Sequence, residues 1–216
     1  MGELDFENVV FGYGGNALFN GLSASFAKEQ ISCIVGPNGC GKSTLAKLAM
    51  GLIKPASGRV LIQGRDVASL NPRERARRLG VLVQQQEAPM MTVRELAACG
   101  RFPHHGPLSR LDETDAQCID ETLSLAGVYD LRDRPLRSLS GGQRQRARMA
   151  MVLAQDTPVV LLDEPTSFMD AAACFDMMRL VRRVRERGKT VISVIHDLNL
   201  ALSVADAVFV MERGRV

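Results

Sequence analysis

The most informative stretch of this chain is "GPNGCGKST" at residues 36–44. It has the spacing G-x-x-x-x-G-K-S and directly follows the apolar run "ISCIV" at 31–35. A glycine-rich loop between a buried strand and a helix turns its backbone N–H groups inward, where they can surround phosphate groups. We therefore predict a P-loop that is preceded by a strand and opens a helix over residues 41–50.

The side chains of this loop have separate predicted roles. Lys42 is expected to reach the β- and γ-phosphates of a nucleotide, and Ser43 to hold Mg²⁺. The N-terminus of the helix adds a partial positive charge. The predicted phosphate-binding residues are Gly36, Pro37, Asn38, Gly39, Cys40, Gly41, Lys42, Ser43 and Thr44.

A second candidate site is the apolar run "VVLLDE" at 159–164, which ends in two carboxylates. A strand of a parallel sheet delivers its carboxyl end to the ligand crevice. We expect Asp163 to be a direct or indirect partner of Mg²⁺ and Glu164 to polarise an attacking water. The competing interpretation of this pair is an acidic helix start after a strand.

The order of elements along the chain defines the fold class. Runs at 3–11, 18–27 and 58–63 have the pattern of a small antiparallel β region. Later strands alternate with helices, which favours a parallel sheet. These strands are predicted at 79–83, 158–163, 190–195 and 207–211, and helices are predicted at 112–126 and 171–187. We predict an α/β fold, a P-loop NTPase with a mainly parallel sheet, an N-terminal antiparallel β subdomain and an inserted helical lobe. It is one domain over 1–216, with a body formed by 1–88 and 151–216 and a lobe at about 89–150.

Composition restricts the function classes. The net charge of +3 is too small to indicate nucleic acid by itself. Five cysteines without a C-x-x-C pair do not favour a zinc site or a disulfide framework, and they suit a reducing cytoplasm. The N-terminus lacks the pattern of a signal peptide, and no apolar run approaches the roughly 18 residues of a membrane span.

The stretch "SLSGGQRQRARMA" at 138–150 has the pattern of a second glycine-rich helix start. Ser140 and Gln143 also match a capping box, S-x-x-Q. From spacing alone, a capped helix without a ligand and a phosphate-binding helix start explain this stretch equally well.

The complete set of motifs resembles the ATP-binding-cassette (ABC) ATPases. The stretch "LSGGQ" at 139–143 resembles their signature motif, and the motifs follow the family order over nearly the whole chain. The resemblance implies ATP and Mg²⁺ as cofactors. It implies that Tyr13 stacks on adenine and that His196 contacts the γ-phosphate. It implies that Gln84 touches Mg²⁺ and the attacking water, with Gln85 and Gln86 as alternatives. Asp170 is implied to be the D-loop aspartate. It also implies that Ser140, Gly141, Gly142 and Gln143 cap a γ-phosphate.

The resemblance also implies partners. Two copies pack head to tail on ATP, so that the P-loop of one and the signature of the other enclose one nucleotide. The lobe and the Gln84 loop dock on a membrane permease, which places the chain in the cytoplasm on the inner face of the membrane, and a substrate-binding protein is an indirect partner. The region 90–128 is similar to importer ATPases for ferric siderophores, haem and cobalamin.

Two alternatives stay open: an exporter ATPase, and an ABC ATPase of DNA repair or translation. The second class usually carries a long coiled coil or a second cassette, and the chain has no heptad run, so we expect no nucleic-acid partner.

The sequence departs from the subgroup at Val83, where proline is frequent. We expect a turn at Gly214 and a returning strand from Val216, and family members usually continue beyond this point, which leads us to expect a truncated chain.

Overall fold

The computed structural model describes residues 2–83, 88–105, 110–167 and 169–216. In these residues it has nine strands and seven α-helices. The strands are β1 Leu4–Tyr13, β2 Asn16–Phe26, β3 Ile31–Val35, β4 Ser57–Ile62, β5 Arg65–Asp66, β6 Leu79–Leu82, β7 Val159–Asp163, β8 Thr190–Val194 and β9 Ala207–Val210. The helices are α1 Lys42–Ala49, α2 Pro72–Ala76, α3 Val93–Cys99, α4 Glu113–Leu125, α5 Gly141–Ala154, α6 Ala171–Glu186 and α7 Leu198–Val204.

The central sheet has five strands in the order β6-β7-β8-β3-β9, and all neighbouring pairs are parallel. Every residue of β3 and β8 is buried. Strands that are covered on both faces consist of continuous apolar runs, which explains "ISCIV" and the mostly apolar "TVISV". The predicted parallel sheet is confirmed.

The second sheet has four antiparallel strands in the order β2-β1-β4-β5. It confirms the predicted antiparallel region. Its last strand, β5, and the short helix α2 were not predicted. A signal for α2 is present in the sequence, because Asn71 and Glu74 form a capping box around Pro72 at the first helical position.

Alternate residues of the parallel strands supply two apolar cores. Ile34 and Leu161 face the core that contains α1 and the antiparallel sheet. Cys33 and Leu162 face the core that contains α6 and α7. The antiparallel sheet and α1 therefore cover one face of the parallel sheet, and α6 and α7 cover the other.

The residues between β6 and β7 supply α3, α4 and α5, which pack on one another. Their buried residues join the same core as α6 and one face of the parallel sheet. The predicted lobe boundary near residue 150 falls inside α5, which continues to Ala154.

Two further predictions concern the chain end and the membrane. Glu212 and Arg215 exchange two backbone hydrogen bonds of 2.9 Å, so the predicted turn at Gly214 is confirmed.

Of the helices in the described ranges, none has the length and apolar character needed to cross a bilayer. The cysteines Cys33, Cys40, Cys99, Cys118 and Cys174 are all free thiols.

Candidate functional site

The candidate site lies where three central strands end. Ile34 of β3 is level with Val194 of β8, and Val194 is level with Asp163 of β7. Because the strands are parallel, the segments that follow them leave the sheet at one edge. This geometry brings the P-loop, the two carboxylates and His196 to the same edge.

Two glycines of the P-loop are required by the packing around it. A Cβ atom on Gly36 would overlap the carbonyl oxygen of Met211. Gly41 has a φ of 114°, and a Cβ there would approach the Phe19 ring to 2.5 Å. The loop can therefore keep its backbone N–H groups close to a ligand only with glycine at both positions.

Lys42 is the first residue of α1, and it is buried with 6% of its surface exposed. Its Nζ donates to the carbonyl oxygens of Gly36 and Pro37 over 2.8 and 2.9 Å. The ammonium group is thus held inside the turn of the loop, at the N-terminus of a helix. The charge of the Lys42 ammonium and the partial positive charge of the helix N-terminus therefore act at the same place, which suits a triphosphate.

Asp163 is the last residue of β7, and its Oδ1 is buried without a hydrogen-bond partner among the described residues. Desolvation raises the pKa of this carboxyl above its ordinary value, and the Glu164 carboxylate raises it further. The Ser43 hydroxyl and the Lys42 ammonium oppose this effect. A buried carboxylate oxygen without a partner is costly unless a cation compensates it.

These residues fit Mg²⁺. The cation prefers oxygen ligands and commonly uses one or two protein groups together with substrate phosphates and water. Asp163 and Ser43 provide such oxygens. The part of the chain that the structure describes has no cluster of three or more histidine, cysteine or acidic side chains suited to a metal ion. The phosphates of a bound nucleotide would complete this site.

Glu164 has an unusual backbone, with a φ of 52°. Its N–H donates to the Val194 carbonyl over 3.2 Å, and its Oε1 lies 2.5 Å from His196 Nε2. Burial raises the pKa of Glu164, but hydrogen bonds from His196 and Ser167 outweigh burial, so the pKa lies below its ordinary value. The side chain is therefore a carboxylate at neutral pH, the form that can polarise a water.

The signature stretch forms a capped helix start. Ser140 Oγ accepts from the Gln143 N–H over 3.2 Å, and Gln143 Oε1 accepts from the Ser140 N–H over 3.1 Å. The capping box predicted from spacing is confirmed. Ser140 and Gly141 are exposed, so the start of α5 faces outward from this chain.

The remaining predicted residues lie in separate places. Tyr13 ends β1, is 49% exposed and packs edge-on against Phe11. Asp170 is exposed and caps α6, where its Oδ1 accepts from the Ala173 N–H over 2.8 Å. Gln84, with Gln85 and Gln86, lies outside the described residues.

One contact of the site was not anticipated from the sequence. Ser167 Oγ donates to Glu164 Oε2 over 2.9 Å. Pro165, between these two residues, is a turn signal that could have indicated it.

The fold and the site define a P-loop nucleotide hydrolase. A family model described as ABC transporter matches residues 19–167. The chain is 41% identical over 208 residues to the achromobactin transport ATP-binding protein CbrD of Dickeya dadantii, covering 95% of the chain and 77% of that protein. It is 38% identical to the iron(3+)-hydroxamate import ATP-binding protein FhuC of Bacillus subtilis, covering 100% of the chain and 81% of that protein.

Solved structures agree with these relatives. A nucleotide-free ATP-binding cassette from an ABC transporter is 27% identical and superposes with a TM-score of 0.89, covering 100% of this chain and 89% of that one. A dimeric bacterial ABC transporter cassette is also 27% identical and superposes with a TM-score of 0.85. The match covers 99% of this chain and 96% of that one. The chain belongs to the ABC transporter family. It binds and hydrolyses ATP.

Proposed function

We propose that this chain powers a membrane importer for a metal chelate, with ferric siderophore, haem and cobalamin as the candidate cargoes. The observation that carries the proposal is its similarity over 95–100% of its length to two ATP-binding proteins of iron-chelate transport. The ATPase site lies on the chain itself, whereas the cargo contacts other subunits.

Within the site, Lys42 and the backbone N–H groups of the P-loop bind the triphosphate. Ser43 and Asp163 would hold Mg²⁺, which supplies charge neutralisation on the phosphates when it is bound. Glu164 polarises the attacking water. His196, whose Nε2 lies 2.5 Å from the Glu164 carboxylate, is proposed to contact the γ-phosphate. Gln84 is proposed to contact the metal and the water, and Tyr13 to stack on the base.

The signature stretch acts on the nucleotide of a second copy. Support comes from the exposed start of α5, where Ser140 to Gln143 form the cap, and from the similarity to a dimeric cassette. A helix N-terminus that faces outward can receive the γ-phosphate held by a partner. Asp170, which is also exposed, is proposed to lie at the same interface.

The lobe at about 89–150 is proposed to dock on the permease together with the Gln84 loop. It presents exposed apolar side chains, Met90, Phe102 and Leu111. Docking by this surface would hold the chain at the inner face of the membrane, with a substrate-binding protein as an indirect partner. We propose no nucleic-acid partner.

The proposal is tested by cargo uptake. Cells of the source organism that carry Lys42→Ala would be compared with the parent for uptake of labelled ferric siderophores, haem and cobalamin. We expect the uptake of one class of cargo to fall to the level of a deletion strain, while the uptake of the other two is unchanged. Lys47→Ala, an exposed lysine on the same helix, is the control.

Unchanged uptake of all three cargoes in the Lys42→Ala strain would contradict the import proposal. If the strain instead retained a compound that the parent secretes, the exporter alternative would replace it.

A further inference from the structure

The carboxylate of Glu164 is held at both of its oxygens. His196 Nε2 lies 2.5 Å from Oε1, and Ser167 Oγ donates to Oε2 over 2.9 Å. The two contacts come from different parts of the fold, since His196 follows β8 and Ser167 follows β7. Together they determine where the carboxylate points.

Packing alone does not hold this carboxylate. A cavity of about 330 Å³ borders Glu164, with Ser167 and His196 in its lining. Its other walls are mostly apolar and include Phe175 and Leu200. A glutamate side chain beside such a space retains much of its rotamer freedom unless hydrogen bonds restrict it.

A local turn places the Ser167 hydroxyl. The Ser167 N–H donates to the Glu164 carbonyl over 3.1 Å, which closes a four-residue turn. Pro165 is buried inside this turn, and its ring fixes its own φ. Because the Glu164 N–H is bonded to Val194 of β8, the whole turn is attached to the central sheet.

We propose that Ser167 is a positioning residue for ATP hydrolysis, which aims the Glu164 carboxylate at the attacking water. The inference rests on the proposed role of Glu164 in hydrolysis. Ser167 acts through its hydrogen bond to Glu164. With His196 on one oxygen and Ser167 on the other, the carboxylate cannot rotate about either contact alone.

The loss of one contact has a defined kinetic consequence. Without the Ser167 hydroxyl, Oε2 of the carboxylate loses this hydrogen-bond donor, and the direction of the carboxylate towards the water is less well defined. A displacement of about 1 Å at a reacting group can cost about a hundredfold in rate. ATP binding is expected to remain because Lys42 and the P-loop are unchanged, so kcat falls while KM does not.

The test uses the purified full chain with Mg-ATP. Ser167→Ala removes the hydroxyl, and Ser167→Thr retains it. Ser69→Ala is the matched control, since Ser69 is an exposed residue whose hydroxyl bonds to the Asp66 carbonyl. We expect Ser167→Ala to lower kcat about tenfold with KM within about twofold, and Ser167→Thr to return to within about threefold of the parent.

Three results would overturn the inference: a normal kcat in Ser167→Ala, a defect in Ser167→Thr as large as in Ser167→Ala, or a rise of KM together with the fall of kcat. Glu164→Gln in the same assay separates the two proposals. If Glu164→Gln turns over ATP normally, the proposed role of Glu164 is wrong. If it is inactive and Ser167→Ala is normal, only the Ser167 inference is wrong.

Discussion

At the scale of single residues, the site depends on charged groups that are taken out of water and then satisfied by the backbone. Lys42 is the clearest case, because its buried ammonium donates to two carbonyl oxygens of its own loop. Burying a charge costs free energy unless the charge is paired or hydrogen-bonded. The loop compensates the cost with these two bonds and keeps a positive charge at the place where phosphates are expected.

Lys42→Ala should therefore abolish most ATP turnover. Loss of a group that stabilises charge in the transition state typically costs about 10²- to 10³-fold in kcat. Steady-state phosphate release by the purified variant measures this, with Lys47→Ala as the matched control on the exposed face of α1. Turnover within about twofold of the parent in Lys42→Ala would contradict the assignment of the P-loop lysine.

At the scale of secondary-structure elements, a buried ion cluster ties α3, α4 and α5 together. Asp115 in the first turn of α4 has a side chain that is 2% exposed and lies 2.8 Å from Arg101 Nε. His105 Nε2 lies 2.7 Å from its other oxygen. Arg101 also donates to the Ala154 carbonyl at the end of α5, over 2.8 Å. Asp115 and Arg101 thus link the start of α4, the end of α5 and the segment that follows α3.

This cluster predicts a pH dependence of stability. Burial raises the pKa of Asp115, but Arg101, the Asp112 backbone and His105 lower it by more, and the folded-state pKa lies well below the ordinary value. A depressed carboxyl pKa contributes stability above the unfolded-state pKa of about 3.9 and loses it as the pH falls. The free energy of unfolding of the parent should therefore decline from about pH 5 downward.

Asp115→Asn should remove part of that decline. At neutral pH the variant loses charged hydrogen bonds, and it should be less stable by about 1.5–3 kcal/mol. Urea unfolding at several pH values measures both effects. Asp120→Asn is the control, because Asp120 is on the same helix and its pair with Arg94 is partly exposed, so the expected change is under about 1 kcal/mol. If the free energy of unfolding fell equally with pH in the parent and in Asp115→Asn, the cluster would not be the cause of the pH dependence.

At the scale of the whole molecule, the proposed site is divided between two places. The P-loop, Asp163, Glu164 and His196 lie at one edge of the parallel sheet, while the start of α5 faces outward elsewhere on the chain. We propose that the signature stretch meets the γ-phosphate that another copy holds. Closure of two copies around ATP would convert binding energy into motion.

Glu164→Gln tests this arrangement. It removes the charge that polarises water and leaves Lys42, Ser43 and Asp163 unchanged, so ATP should bind without being hydrolysed. We expect the monomer to become a stable dimer on addition of Mg-ATP, as seen by size-exclusion chromatography.

Adding Ser140→Arg to Glu164→Gln should prevent that dimer, because a bulky side chain replaces the cap at the start of α5. Each monomer should still bind ATP through its own P-loop. Ser124→Arg, an exposed position on α4, is the control and should dimerise normally. Equal dimerisation of the Ser140→Arg double variant would mean that the stretch is only a capped helix.

The sequence by itself determined the features that depend on local chemistry. The P-loop spacing, the buried strand before it, the acidic end of β7 and the capping box at Ser140 are local patterns, and the structure contains each of them. Their physical basis is short-range: apolar runs become buried strands, and side-chain oxygens satisfy the first N–H groups of a helix. The short elements β5 and α2 were missed. The two residues of β5 are too few to form a periodic pattern, whereas α2 has a capping box at Asn71 and Glu74 that could have indicated it.

Only the tertiary structure decided which of these local features meet. Glu164 and His196 are separated by 32 positions in the sequence, yet their side chains lie 2.5 Å apart because β7 and β8 are neighbours in a parallel sheet. The cluster around Asp115 likewise depends on how the chain folds back on itself. No local pattern contains such distances, since they are set by strand order and packing across the sheet.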